Sequence, residues 1–381
     1  MKLFLSDAEF RIDGISRPGV PFLCDRLMEL VAAPNRYLQF VATVRGRTKS
    51  PATWITYGNH LLEFFAFVEA NELAWCDVTI GVVAAWRDAM LERGCARSTV
   101  NQRLRCVHAF YLWAERQELV RTIPFVTELI QVGRPAGFLA HVGARGGLTQ
   151  ANELTLRTAT PTAQFLRLDK AIQFLDALTP KRVRLMGYVM LLTGMRREEV
   201  VALDYRVLPN PAGCAPGKAL AMELDGSTTP TKGSKPRTVM VPYDLAVALA
   251  EYFTFEWPKL LRLHKRRHGR ESTRLFLSRY GDELAVKSLN DAFVVAGKRT
   301  GIVCHPHVMR HTFGTYELLR MEYDRGQSQA LLWVRDRMGH SSITITQRYV
   351  HAADLIRHDE VDGYQKDLCE ALRRGNPSPK A

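Results

Sequence analysis

Between residues 126 and 165 the apolar periodicity of this chain stops. Gly133, Pro135, Gly137, Gly143, Gly146 and Gly147 fall in that stretch and break any regular element. A segment of this length without its own periodicity reads as a connector, and Arg134 and Arg145 are embedded in it. The full length of 381 residues is enough for two or three domains. The expected organisation is therefore a leader over 1–34, a helical domain over 35–125, the connector over 126–165, and a mixed domain over 166–381.

In the leader, Leu23, Leu27, Leu30 and Val31 fall at helical spacing, which predicts a small helix packed on the next domain. Over 35–125 the helical signal is stronger. Tyr57, Leu61, Phe64, Phe65 and Val68 recur at the 3.6-residue period behind a start signal at Ser50-Pro51. Val82, Val83, Trp86, Met90 and Leu91 form a second stripe. Ser98 or Thr99 is placed to cap a third helix with Val100, Leu104, Val107 and Tyr111 on its apolar face. Gln102, Arg103 and Arg105 lie on its other side, as a solvated face or as a surface for phosphates. Beyond the connector, Leu168, Ile172, Leu175 and Leu178 predict one helix, and the run from Leu185 to Leu192 another. Residues 219–224 and 237–242 read as two strands of a hairpin, and helices resume at Leu245. The predicted class is mainly α with a small β-sheet, the second domain being α+β.

Hydrophobic residues make up 46% and charged residues 24%, a globular and not a disordered composition. Lys and Arg outnumber Asp and Glu by 52 to 39, a formal net charge of +13. Such a surface attracts polyanions, of which nucleic acid is the commonest partner for a soluble protein. Cys24, Cys76, Cys95, Cys106, Cys214, Cys304 and Cys369 are scattered and form no C-x-x-C pair. That excludes a disulfide framework and a zinc site as readings and fits a reducing cytoplasm. The start of the chain has too short an apolar run for a signal peptide, since Asp7 ends it, and no stretch is apolar for long enough to suggest a membrane span. The glycines at 143–147 and the segment 213–219 lack the Gly-Lys-Ser/Thr ending of a phosphate-binding loop, so no nucleotide site is expected.

The chemistry-bearing residues come in an ordered set. Thr193-Gly194-Met195-Arg196-Arg197-Glu198-Glu199 follows an apolar run, and Arg196 and Glu199 share a helical face by spacing. Lys232 sits at the tip of the predicted hairpin, with Lys235 close by. His307 and Arg310 are again three apart, behind Pro306, a natural first-turn residue; the adjoining His311 is expected to point away into structure. His340 follows Gly339 and precedes Ser341-Ser342, a possible cap, and Tyr349 comes nine residues later, on or just past that helix. Taken singly, each residue has an ordinary structural explanation. Together they are what a site needs to grip and cleave one phosphodiester. Arginines offer paired donors to the non-bridging oxygens. Lysine suits the protonation of a departing oxygen. Tyrosine supplies a nucleophile, provided a base or positive field offsets its pKa of about 10. Several cations in one place also substitute for a metal ion, so no cofactor is expected.

From about residue 50 to 355 the order and spacing resemble the tyrosine recombinase (phage integrase) family. Thr-Gly-Met-Arg-Arg-Glu-Glu resembles its first arginine box, implying Arg196 as phosphate ligand and Glu199 as supporting acid. Lys-Gly-Ser-Lys-Pro-Arg is similar to its hairpin lysine segment, implying Lys232 as general acid and Lys235 as a lesser candidate. His-Val-Met-Arg-His implies His307 and Arg310, Met-Gly-His-Ser-Ser implies His340, and Tyr349 stands where the nucleophile does. The resemblance implies a site-specific recombinase for integration, excision or resolution of a DNA element, working through a 3′-phosphotyrosine. It implies a helical core-binding domain and a catalytic domain closing as a C-shaped clamp on double-stranded DNA. It also implies a monomer when free, a homotetramer on paired sites, a C-terminal docking helix from Ala353 to about Arg374, accessory proteins, and a cytoplasmic, nucleoid-associated location. The alternatives are a type IB topoisomerase and a DNA-binding regulator with a relict active site.

Overall fold

The structure, a computed structural model, describes residues 1–46, 50–131, 148–158, 163–226, 236–340, 343–353, 356 and 364–375. The chain divides into two units, Met1–Ala159 and Thr160–Ala381.

The first unit begins with strands, not the expected leader helix. β1 (Lys2–Leu5) pairs antiparallel with β4 (Pro21–Cys24), and β2 (Arg11–Ile12) with β3 (Ile15–Ser16). The β2–β3 turn is Asp13-Gly14, both at positive φ, the backbone a two-residue hairpin loop requires. After β4, Asp25 Oδ1 accepts from the backbone N–H groups of Leu27 and Glu29, and Met28 takes φ 67°. This local side-chain turn outcompetes a helix. Of the predicted apolar stripe, Leu23 is buried while Leu27 and Leu30 are exposed.

Four helices follow: α1 (Ala32–Thr43), α2 (Pro51–Ala70), α3 (Ile80–Glu92) and α4 (Arg97–Arg116). α2 starts at Pro51, where the sequence signal places it. α4 starts at Arg97, so Ser98 and Thr99 fall in its first turn and not at its cap. The predicted stripes point inward: Leu61, Phe64, Phe65, Val68, Val83, Trp86, Met90, Val100, Leu104, Val107 and Tyr111 are all buried. Aromatic rings join the helices, with Phe64 edge-on to Trp86 at 5.0 Å and Tyr37 edge-on to Phe110 at 5.6 Å. The β1–β4 pair lies against α2 at Gly58, where an added Cβ would come within 2.8 Å of Leu3 and Pro21.

The connector carries more structure than its glycines suggest. β5 (Thr127–Gln131) pairs antiparallel with β6 (Leu148–Asn152), so flanking residues pair across the segment that holds Gly133–Gly147, Arg134 and Arg145, which lies outside the described residues. Beyond β6, Leu154 is buried in the first unit's core. Asn101 of α4 clamps Leu156 by accepting from its N–H at 2.9 Å and donating to its carbonyl at 2.8 Å. That pairing satisfies a buried amide and stitches the segment to the helices.

The second unit is built around α6 (Lys181–Thr193), buried along most of its length. α5 (Leu168–Ala177) precedes it, and α7 (Arg197–Val201) follows a left-handed turn at Gly194. β7 (Ala219–Leu224) and β8 (Arg237–Pro242) pair antiparallel, forming the hairpin expected of these residues, with Ala219 opposite Pro242 and Leu224 opposite Arg237. Next come α8 (Tyr243–Phe255), α9 (Trp257–His268), α10 (Val286–Thr300), α11 (Pro306–Arg325), α12 (Gln327–Met338), α13 (Ile343–Gln347), α14 (Val350–Ala353) and α15 (Tyr364–Gly375). α11 packs against α6, α12 and α14, and so gathers the motif segments. α15 seats Leu368 and Leu372 against its own unit and joins Arg373 to Asp244 of α8 through two hydrogen bonds of 2.8–2.9 Å. Leu355 and Val361, within the expected docking segment from Ala353 to about Arg374, lie outside the described residues.

Candidate active site

The site forms where the ends of α6, α7, α11 and α12 meet. α6 ends at Gly194 with φ +67°, and a Cβ there would fall within 2.3 Å of the Phe313 ring, so only glycine permits the turn and the contact. Arg196 follows in extended backbone as the residue capping α7, and not within the helix as its spacing suggested. Its backbone N–H donates to Glu199 Oε2 at 2.8 Å, and its guanidinium to Glu199 Oε1 at 2.9 Å and the Gly339 carbonyl at 2.9 Å. Arg310, one turn into α11, donates to the carbonyls of Gly194 and Met338 and is only 1% exposed.

The two arginines thus bond to the adjacent carbonyls of Met338 and Gly339. These are carbonyls at the end of α12, unsatisfied within the helix and at the negative pole of its dipole. The arrangement satisfies the helix end and holds two guanidiniums side by side. Each guanidinium has five N–H donors, so donors remain for an anion beyond these contacts.

Glu199 is the acid that organises this side. It is 1% exposed and takes Arg196 on one flank and Arg237, the first residue of β8, on the other, with Arg237 donating to both carboxylate oxygens. Burial alone works to raise its pKa. The hydrogen bonds and charge of Arg237, joined by Arg196, outweigh burial and hold the carboxyl below its usual range. Arg237 also lies across Gly339, 3.1 Å from where a Cβ would stand. A groove of about 650 Å³ opens here, lined among others by Arg196, Arg237, Arg335, Arg337 and His340.

The histidines occupy the other side. His307 and His311 are one turn apart on α11, with rings edge-on at 4.4 Å. His340 Nδ1 lies 3.0 Å from Thr346 Oγ1, and its ring stacks near Tyr349 at 6.1 Å. Burial, followed by the positive charge of Arg310, pulls His307 down to about 4 and His340 to about 3. Burial and then His307 take His311 to about 3. All three imidazoles are neutral near pH 7. Arg310 itself falls to about 9, first from burial and then from Arg196 beside it, a crowding of positive charge that an anionic substrate would relieve.

Tyr349 lies in the turn between α13 and α14, 1% exposed. Its ring fits over Gly314, where a Cβ would meet Tyr349 Cζ at 2.8 Å. Burial pushes its hydroxyl up to about 12, against the pull of Arg310, Arg348 and Arg196. The hydroxyl stands 3.0 Å from His311 Nδ1. This corrects the expectation that His311 points elsewhere. Four residues after His307 on one helix, it shares that residue's face, a spacing visible in the sequence.

Arg196, Glu199, His307, Arg310, His340 and Tyr349 therefore come together. Lys232 and Lys235 lie outside the described residues, as do Ser341 and Ser342. Gln102 and Arg105 are exposed on α4, whereas Arg103 leans on Glu63 at 3.6 Å and Cys95 at 3.7 Å. Sequence reasoning assigns no role to Arg237, whose partner Glu199 is distant in the chain, or to His311.

The described site gathers two arginines, three histidines and a buried tyrosine, a set of donors chemically suited to an anionic group. Comparison with known proteins agrees. Residues 164–355 match the phage integrase family, and residues 35–118 match its N-terminal SAM-like domain. Transposase A from transposon Tn554 of Staphylococcus aureus is 26% identical over 360 residues, covering 90% of this chain and 93% of that protein. Tyrosine recombinase XerC of Roseiflexus castenholzii is 27% identical over 322 residues, covering 80% and 84% respectively. The fold is that of the XerH site-specific recombinase bound to palindromic difH substrate (TM-score 0.56, 16% identity, 88% of this chain and 85% of that one). It is also that of lambda integrase residues 75–356, a dimer bound to a COC′ core site (TM-score 0.52, 13% identity, 82% and 92%). The chain belongs to the phage integrase family. It is a tyrosine-type site-specific DNA recombinase, and the topoisomerase and relict-regulator alternatives are not favoured. No helix among the described residues is long and apolar enough to cross a membrane.

Proposed function

We propose that Tyr349 is the nucleophile, that Arg196 and Arg310 bind the scissile phosphate, that His307 and His340 complete its hydrogen bonding, and that Lys232 protonates the leaving 5′ oxygen. The observation that carries this reading is the pair of guanidiniums on the adjacent Met338 and Gly339 carbonyls, shortly before Tyr349 in the chain. Two fixed cations favour the charge that grows on the five-coordinate transition state more than that of the ground state. Attack by the tyrosine oxygen forms a 3′-phosphotyrosine and releases a 5′ hydroxyl. The ester keeps the bond energy, so reversal rejoins DNA without a nucleotide. Glu199 supports Arg196 and is itself held by Arg237.

In this reading both units contact double-stranded DNA, with Gln102, Arg103, Arg105 and Lys235 among the candidate contacts. The chain is monomeric when free and tetrameric on paired sites, where α15 exchanges its own seat for a neighbour's. The domain limits follow the sequence reading: a leader to 34, a core-binding domain to 125, a connector to 165 and the catalytic domain beyond. The enzyme acts where its DNA lies, on the nucleoid in the cytoplasm, with accessory proteins at some sites.

The decisive test is Tyr349→Phe on nicked duplexes selected from a random library by covalent capture on the wild-type chain. Binding is retained and the denaturation-resistant adduct disappears; a persisting adduct rejects the assignment. Since arginine and lysine carry the charge in this scheme, wild-type cleavage persists in EDTA without added nucleotide. A strict magnesium requirement for adduct formation would contradict it.

A further inference from the structure

We propose that His311 is the proton acceptor for Tyr349, a catalytic residue in its own right; this rests on Tyr349 being the nucleophile. A general base must stand within about 2.6–3.2 Å of the group that gives up the proton. His311 Nδ1 is 3.0 Å from the Tyr349 hydroxyl. Its neighbours are otherwise disposed. His340 Nδ1 faces Thr346 Oγ1 at 3.0 Å, and the His307 ring meets His311 edge-on at 4.4 Å.

The position is also fixed. α11 carries His307, Arg310 and His311 within five residues, and Gly314 on the same helix leaves the room that the Tyr349 ring fills. The proton acceptor and one phosphate ligand thus ride on one rigid element, and the nucleophile packs against it. A neutral imidazole accepting at Nδ1 carries its own hydrogen on Nε2. On attack, the Oη–H bond of Tyr349 breaks and the proton passes to Nδ1. The oxygen's electron pair forms the bond to phosphorus. The phosphorus–O5′ bond breaks, and the departing oxygen takes a proton from the general acid on the opposite side. The imidazolium so formed lies beside the anionic phosphodiester, whose negative charge favours it. In religation the same proton returns to the tyrosine oxygen.

The test separates acceptor from mere support. His311→Asn places an amide oxygen near the Nδ1 position, where it still accepts from the hydroxyl but cannot hold a proton. His311→Ala removes the contact and leaves a space for added imidazole. Thermal unfolding and binding to the captured duplexes identify properly folded variants. Adduct formation by His311→Asn is expected to fall about 10²- to 10⁴-fold. The loss should persist on DNA with a sulfur in place of the bridging 5′ oxygen, because sulfur leaves without a proton and relieves only the acid side. Imidazole should raise the His311→Ala rate. Wild-type rates in His311→Asn, or recovery of that variant on the sulfur-bridged DNA, would overturn the proposal. If the Asn variant does not fold, imidazole response in His311→Ala decides, and its absence counts against the role. A surviving adduct in Tyr349→Phe would instead overturn the nucleophile assignment.

Discussion

The two units bury different things. In the first, Asn101 is the only polar residue in the buried set among the described residues, and the rest is hydrophobic, mostly aliphatic and aromatic. The second buries Glu199, Asp204, His264, Arg310, Glu317 and four threonines with its apolar side chains. Burying a charge is costly unless it is paired and hydrogen-bonded. The second unit meets that condition through helix-end carbonyls and the Arg196–Glu199–Arg237 chain of contacts. One unit is therefore stabilised mainly by area removed from water, and the other also by a network that an active site needs. Substitutions should separate these two kinds of core.

The largest contrast sets Phe64→Ala against Arg237→Ala. Phe64 is fully buried among aromatic rings, and its truncation costs about 3–5 kcal/mol in the first unit. Arg237→Ala leaves Glu199 with one guanidinium instead of two, a loss on the order of 3 kcal/mol for a broken buried pair. Stability alone does not distinguish them. Cleavage rate on saturating DNA does: Phe64→Ala keeps the wild-type rate while folded, whereas Arg237→Ala loses about tenfold or more as Arg196 loosens. Equal rates in the two folded variants would show that the Glu199 network is packing and nothing else.

Acid should act more strongly on the second unit. His307, His311 and His340 resist protonation in the folded state, at about 4, 3 and 3. The unfolded chain accepts those protons near the ordinary imidazole value of about 6.5. Their contribution is full above about 6.5 and is lost progressively as pH falls towards 4 and 3. Glu199, with its pKa held down, adds a loss at lower pH still. Among the described residues of the first unit, only His60 and His108 are displaced the same way, by burial above all. Hydrogen exchange followed by mass spectrometry between pH 7 and pH 5 should show protection lost first around α11 and the end of α12. Earlier loss in α2 and α4 would break the comparison.

The same contrast explains what is legible in the sequence. Apolar periodicity locates α2, α3 and α4 and the inward side of each, because an apolar core leaves its period in the chain. It misleads over residues 23–31, where Asp25 binds backbone amides and a local turn wins over the stripe. In the second unit the motif residues are legible by order and spacing. Their partners are not: Arg237 matters only because folding brings β8 to Glu199, and no local spacing carries that. His311 differs, since its place one turn after His307 is readable; the neighbouring Arg310, which already has a role, obscures it. The paired strands β5 and β6 flank glycines that mask them.

The smallest effect concerns a charge pair that is not buried. Arg373 of α15 holds Asp244 of α8 through two hydrogen bonds, but its side chain is 61% exposed, against 1% for Glu199. An exposed pair contributes about 0–1 kcal/mol, since water and salt screen it. Arg373→Ala should lower stability by no more than that, and binding to a single site should not change. Leu368 and Leu372, both buried, hold the helix far more strongly. If α15 exchanges seats on paired sites, the same substitution should weaken two-site complexes by several-fold, because each exchanged helix loses a contact to a partner it holds only in the assembly. Thermal unfolding and native gels with one-site and two-site DNA read both quantities. A stability loss well above 1 kcal/mol would show that burial is not what separates strong from weak charge pairs in this unit. Unchanged two-site complexes after truncation beyond Ala353 would reject the exchange itself.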